Sequence, residues 1–294
     1  IVSTRLSSLR SSLEQDGYAV LEDFLWPREC EELRQAGDEF TETLPDNEQK
    51  SVFSTLDDNK KHMRDNYFLE SNDKIRAFFE AEALDSNGNL KVPPLLSLNK
   101  VGHALHFQHP LFRCYTYCDR VKNVCQELGL VEPAVVQSMY IYKNPGVGGE
   151  VVDHQDATYL HTEPKSPIGF WIALEDATIQ NGCLWIARGS HKSGVHRRLV
   201  RNTETNGEDL LKYDKPAPVY PQSIFTAVPV RKGTCILIDG LVVHKSAPNK
   251  SDKSRPAYTF HVIEKHNNTY APENWLQEGK EAPFVNLYGK IHLL

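Results

Sequence analysis

The stretch GEVVDHQDATYLHTEP, residues 149–164, sets two potential metal ligands, His154 and Asp156, two positions apart. Side chains of an extended chain alternate between faces, so residues i and i+2 point the same way and could grip one ion together. A chain with twelve histidines also produces His-x-Asp pairs by accident. The pair therefore gains weight only if its surroundings supply strands to hold it and a third ligand to complete it.

The surroundings read as β-structure. From about Ala134 onward, short β-branched and aromatic runs are separated by Gly, Pro and Asn: AVVQSMYIYKN, IGFWIALED, GCLWIAR, FTAVPV, TCILIDG and RPAYTFHVIE. Six or more such strands imply a sandwich or a barrel. The chain before them reads mainly as helix. STRLSSLRSSLEQDG and WPRECEELRQAGDEFTETL carry apolar residues at helical spacing, with YAVLEDF between them as a short strand. SNDKIRAFFEAEAL and HPLFRCYTYCDRVKNVCQELG predict two further helices, the second ending at Gly129. The expected layout is a single domain over 1–294, with a helical layer over about 1–130 packed outside a β core over about 134–265. Residues 192–223 are polar, rich in Pro and Asn and much longer than an ordinary connection. They read either as a lid or substrate wall or as a disordered insertion.

Composition removes several classes of function. Hydrophobic residues make up 40% and charged residues 24%, values of a folded globular chain. The net charge of -6 comes with no long basic tract, so nucleic acid is not an expected partner. No run of about 18 apolar residues predicts a membrane span, and the first twenty residues lack the apolar core of a signal peptide. A cytoplasmic monomer with no targeting signal is the expectation. The six cysteines contain no Cys-x-x-Cys and are too sparse for a disulfide scaffold. Cys114, Cys118 and Cys125 fall along one face of the expected helix and read as small core residues.

A third ligand stands at the end of another apolar run. In CILIDGLVVHKSAPN, His244 lies 88 positions beyond Asp156 and is followed by Ser246. Two histidines and one carboxylate form the facial triad of non-haem Fe(II) oxygenases, which leaves three adjacent coordination positions open. A keto acid such as 2-oxoglutarate can fill two of them, leaving room for dioxygen, and its distal carboxylate then needs a cation. Arg255 opens the next strand, 11 positions after His244, and its planar fork suits a carboxylate better than a point charge does. His103, His106 and His109 in GHALHFQHP recur every third residue but lack an accompanying carboxylate, so they are not expected to hold metal.

The segments LSLNKVGHALH, VVQSMYIYK, GGEVVDHQDATYL, GFWIALEDAT, NGCLWIARGSHKSGV, VVHKS, SRPAYTFH and PENWLQ together resemble the phytanoyl-CoA dioxygenase family over nearly the whole chain. The resemblance implies a mainly β fold with flanking α-helices, a double-stranded β-helix or cupin-like jelly roll, with Fe(II) at one mouth. It implies His154, Asp156 and His244 as iron ligands and 2-oxoglutarate contacts at Lys100, Met139, Trp171, Ser246 and Arg255. It further implies hydroxylation of a small molecule, a fatty acyl-CoA or related lipid, consuming O2 and supported by ascorbate. Related halogenases carry a small residue in place of the carboxylate, so the carboxylate of Asp156 points to hydroxylation. One departure is ARGSH, with Arg188 where the family commonly has proline; His191 in that turn is expected to be structural. Two rival readings are a non-catalytic metal-binding jelly-roll module and a metal hydrolase. Neither has a use for Arg255.

Overall fold

A computed structural model describes residues 2–44, 50–55, 63–204 and 209–289. Two antiparallel sheets form its frame. In the larger, seven strands lie in the order β1 (Tyr18–Leu21), β12 (Cys235–Asp239), β7 (Ile168–Ala173), β14 (Ala257–Glu264), β4 (Pro133–Ile141), β3 (Leu98–His103) and β2 (Ile75–Phe79). The smaller sheet runs β11 (Phe225–Val228), β8 (Leu184–Ala187), β13 (His244–Ser246) and β5 (Val151–His154). Two short pairs accompany them, β9 (Leu199–Arg201) with β10 (Leu211–Tyr213) and β6 (Thr162–Glu163) with β15 (Thr269–Tyr270). This is a jelly roll, and the six strands expected from the runs beyond Ala134 are all present.

Alternation along the strands of the large sheet assigns its two faces. Tyr258, Phe260 and Val262 of β14, Phe170 and Ile172 of β7, and Cys235 and Leu237 of β12 pack outward into the largest core. That core is closed by helices α1 (Val2–Asp16), α2 (Pro27–Glu42), α5 (Pro110–Thr116) and α6 (Asp119–Glu127), which contribute Leu9, Leu33, Phe112 and Val121. The opposite residues of the same strands, Trp171, Ala173, Ile236, Ile238 and Ala257, meet Leu184 and Ile186 of the small sheet. Both faces of the large sheet are therefore covered, the arrangement that makes a strand read as a continuous apolar run.

Local chemistry explains how the helices start and stop. Pro27 occupies the first turn of α2, and the Glu29 carboxylate accepts the Trp26 backbone N–H at 2.7 Å. Gly17 ends α1 with a left-handed φ of +83°, and a Cβ there would lie 2.6 Å from His191 Nδ1, so only glycine suits both constraints. The 190–193 turn then packs against the C-terminus of α1. His191 Nε2 lies 3.1 Å from the Glu14 carbonyl, Lys192 donates to the Gln15 carbonyl, and Arg188 pairs with Asp16 at 2.9 Å. Cationic groups at a helix C-terminus complement its dipole. His191 is thus structural, as expected, and the unusual Arg188 anchors a turn.

Three expectations are corrected. SNDKIRAFFEAEAL is strand β2 followed by a single 3-10 turn at Ala81–Ala83, so the region before residue 130 is not a purely helical layer. Ala77 and Phe79 face the helix side and Phe78 the other side, and burial on both faces hid the alternation. HPLFRCYTYCDRVKNVCQELG breaks at Tyr117–Cys118 into α5 and α6, although Gly129 does terminate the second with φ +72°. The break changes the helical phase, so Cys125 is buried while Cys118 is half-buried and Cys114 exposed. The remaining short helices are α3 (Asn66–Leu69) and α4 (Leu105–Gln108). Among the described residues no helix is long and apolar enough to cross a membrane.

Candidate active site

His154 ends β5 and His244 begins β13, and the two are cross-strand partners, with ring centroids 4.3 Å apart. Asp156 does not continue the strand. It opens a 3-10 turn, Asp156–Thr158, which swings its carboxylate between the two imidazoles. Nε2 of His154 and Nε2 of His244 are each 3.7 Å from the same oxygen, Asp156 Oδ1. Too long for hydrogen bonds, these separations leave space for an ion held by all three. One donor atom from each residue lies within 4.8 Å of the others.

The backbone prepares these donors. His154 Nδ1 faces the Val152 carbonyl at 2.8 Å and His244 Nδ1 the Val242 carbonyl at 3.1 Å. A ring whose Nδ1–H is engaged this way presents its Nε2 lone pair to the site. Burial and the neighbouring His154 hold His244 down to about 4, so it is neutral at physiological pH. Burial would raise the Asp156 carboxyl, but the imidazoles of His261 and His244 outweigh that effect and keep it well below the usual carboxylate range. Gln155, 1% exposed between the two ligands, holds the turn from behind: its amide donates to the carbonyls of Gly194 and Leu241 and accepts from the His196 N–H.

All eight residues singled out from the sequence, the triad together with Lys100, Met139, Trp171, Ser246 and Arg255, line one cavity between the sheets. Arg255 is 2% exposed and its Nε and Nη1 have no partner among the described residues, while its guanidinium lies 5.1 Å from the Trp171 ring centroid. A buried cation with free donors facing a cavity is chemically unfinished. Lys100 stands over the Phe53 ring, and burial brings it down to about 7 despite the nearby Glu80 carboxylate. Leu199 and Tyr213, from the 192–223 segment, also line the cavity, so that segment forms a wall; its residues 205–208 lie outside the described residues.

Sequence reasoning passed over several polar residues of this cavity. Lys143 donates to Ser246 Oγ at 3.0 Å and to the Gly149 carbonyl at 2.5 Å, and burial with the Arg255 charge lowers it to about 7. His261 Nε2 stands 3.1 Å from Asp156 Oδ2. The alternation in AYTFHVIE, with Thr259 and His261 opposite Tyr258, Phe260 and Val262, was the available signal. The His103, His106 and His109 series is dispersed: His103 contacts Ser71 Oγ at 2.7 Å and His106 contacts Ser138 Oγ at 2.7 Å, each without a carboxylate.

Residues 13–257 match the family model described as phytanoyl-CoA dioxygenase (PhyH). The chain is 48% identical to the phytanoyl-CoA dioxygenase domain-containing protein 1 homolog of Caenorhabditis briggsae, over 96% of this chain and 99% of that protein. It belongs to the phytanoyl-CoA dioxygenase family. Phytanoyl-CoA dioxygenase domain-containing protein 1 of Danio rerio is 47% identical over 93% of this chain and 95% of its own. Among solved structures, the epimerase SnoN in complex with Fe3+, alpha ketoglutarate and nogalamycin RO has a TM-score of 0.63 at 15% identity, over 98% of this chain and 97% of that one. EctD from S. alaskensis with 2-oxoglutarate and 5-hydroxyectoine gives 0.58 at 19% identity, over 95% and 86%. These two likenesses concern the jelly-roll fold. With its family and its His–Asp–His cluster, this phytanoyl-CoA dioxygenase family member is an enzyme of the 2-oxoglutarate-dependent non-haem iron dioxygenase class.

Proposed function

We propose that the enzyme hydroxylates a small organic substrate, with His154, Asp156 and His244 as its Fe(II) ligands and Arg255 as the anchor of 2-oxoglutarate. The observation that carries this reading is that an unpartnered, buried guanidinium shares one cavity with the triad. The residues fit both groups. Two imidazoles and one carboxylate suit ferrous iron, whereas a structural zinc site would be closed by four ligands. The free Nε and Nη1 of Arg255 suit the distal carboxylate of a diacid, and Ser246, Trp171, Lys100 and Met139 would complete its enclosure. SnoN and EctD, whose structures hold alpha ketoglutarate or 2-oxoglutarate in the same fold, support the choice of co-substrate.

When bound, iron and 2-oxoglutarate supply the oxidative chemistry, in which O2, 2-oxoglutarate and a substrate C–H become succinate, CO2 and a C–OH. The chain's own residues bind and orient. Carbonyls of Val152 and Val242 fix the imidazole rings, Arg255 and Ser246 select the length of the diacid, and Trp171 packs beside the Arg255 guanidinium as an apolar wall. Phe53, Phe68, Tyr159, Tyr213 and Trp275 give the rest of the cavity an aromatic lining, which excludes water and suits an apolar group such as that of a fatty acyl-CoA or related lipid. We take residues 1–294 as a single catalytic unit that works as a monomer.

The test is aerobic incubation with Fe(II), ascorbate and 2-oxoglutarate, following succinate, while candidate substrates are screened by mass spectrometry for the gain of one oxygen atom. A protein that binds Fe(II) yet forms no succinate with any substrate is the non-catalytic module instead.

A further inference from the structure

The two oxygens of Asp156 have different neighbours. Oδ1 is equidistant, at 3.7 Å, from Nε2 of His154 and Nε2 of His244, whereas Oδ2 is turned away to within 3.1 Å of His261 Nε2. His261 comes from β14 of the large sheet, so the contact reaches across from the sheet opposite the two histidine ligands. It is 5% exposed, and among the described residues its Nδ1 is buried without a partner, so the Asp156 oxygen is the polar contact its ring makes there. The opposing position in β7 is Gly169. A Cβ there would lie 3.1 Å from Asp156 Oδ2 and 3.6 Å from His261 Cδ2. The absence of a side chain at Gly169 leaves a notch in which imidazole and carboxylate meet.

We propose that His261 is a positioning residue which, by holding Oδ2, confines Asp156 to one metal-facing oxygen and so keeps open the coordination positions that the co-substrate and O2 require. A carboxylate free to rotate can chelate through both oxygens, and each extra protein oxygen on the metal removes one open position of the triad. A hydrogen bond to the outer oxygen prevents that rotation, because the donor is fixed on a rigid strand and is buried with its acceptor. His261 Nε2 carries the proton in this arrangement. The inference rests on the reading of Asp156 as an iron ligand, and the experiment separates the two.

Co(II), added alone as a spectroscopic probe, is titrated anaerobically into wild type, His261→Gln and His261→Met, two replacements of similar length of which only glutamine keeps a donor. His261→Met should weaken Co(II) binding roughly ten- to a hundredfold, the effect of losing an outer-shell partner of a ligand. It should also alter the visible Co(II) bands, as a second Asp156 oxygen takes a coordination position that the wild type leaves open, and His261→Gln should restore both readouts. If His261→Met binds Co(II) within twofold of wild type with the same bands, or if glutamine performs no better than methionine, His261 does not position Asp156. Should His261→Met fail to fold, His261→Phe keeps the ring shape without the donor and takes its place under the same criteria. Asp156→Ala is titrated in parallel. Retention of Co(II) by that variant overturns the ligand reading itself, whereas its loss of Co(II) together with an unaffected His261→Met overturns only the role of His261.

Discussion

Replacing Arg255 by methionine should make the ligand-free protein more stable and less able to bind 2-oxoglutarate. The guanidinium is 2% exposed with Nε and Nη1 unpartnered among the described residues, and burial lowers it from the ordinary arginine range to about 10. The direction matters for the sign. A base whose folded pKa is depressed penalises the folded state below the folded value, and the penalty vanishes only above the unfolded one. At neutral pH the penalty is therefore complete, and at 1.36 kcal/mol per unit it amounts to about 3 kcal/mol. Loss of the contact with Trp171 returns about 1 kcal/mol of this. The space left is continuous with the existing cavity, so no new closed void adds a cost. A net gain of about 2 kcal/mol should raise the melting temperature of metal-free protein by a few degrees. Binding moves the opposite way. Losing one hydrogen bond to a charged group costs about 1.5 to 3 kcal/mol, so half-saturation by 2-oxoglutarate should rise at least ten- to a hundredfold. Arg255→Lys, which keeps charge but not the fork, should show the affinity loss without the full gain in stability. The assays are differential scanning fluorimetry of the apo-protein and anaerobic titration of the Fe(II)-loaded variant, followed by metal-to-ligand charge-transfer absorption. A methionine variant that melts below wild type and binds 2-oxoglutarate with unchanged half-saturation would refute the assignment of Arg255 as an unsatisfied anchor.

Three further outcomes follow from the same geometry. Asp156→Ala should stay folded by circular dichroism yet lose Fe(II) affinity more than a hundredfold and succinate formation with it; full turnover by a metallated variant would count against the ligand set. Lys100 and Lys143, both brought down to about 7 by burial, should lose their protons as pH rises through 7, so affinity for dianionic 2-oxoglutarate should fall between roughly pH 6.5 and 8.5 while apo-protein stability rises from pH 7 toward 10.5. Lys100→Met should flatten that affinity profile, and a wild-type dissociation constant independent of pH would show that neither lysine titrates there. Gly37→Ala in α2 sets a Cβ 2.1 Å from the buried ring of Tyr140, and this overpacking, about 1 to 3 kcal/mol, should exceed the roughly 1 kcal/mol gained in helix propensity; an unchanged melting temperature would mean that α2 can lift off the sheet.

The legible parts of this protein are those in which neighbours in sequence share a fate. His154 and Asp156 lie close along the chain, His244 closes a run of apolar residues and Arg255 opens another, so donor type and strand ends sufficed to pick them out. Strands such as LWIA and CILID carried their own β signature, and the Asp-Gly at the end of α1 marked its stop. Where two faces are both buried, that logic fails. IRAFF in β2 presents apolar groups to both sides of the sheet, and its period of two disappears into a pattern that also fits a helix. The cysteines misled for a related reason, since a break at Tyr117–Cys118 shifts the helical phase, and no residue type there announces it.

The amino-acid order by itself determined which groups could bind a metal and a diacid, because that follows from side-chain chemistry and short spacing. Only the tertiary structure decided how they act together. Register across β7 and β14 sets Gly169 opposite His261, and a turn swings Asp156 between two strands so that one oxygen meets the histidine ligands and the other meets His261. The same folding draws Lys143, 103 residues from Ser246, to within 3.0 Å of its hydroxyl. Such contacts depend on sheet order and burial between residues far apart in the chain, and no local pattern encodes a distance across a cavity.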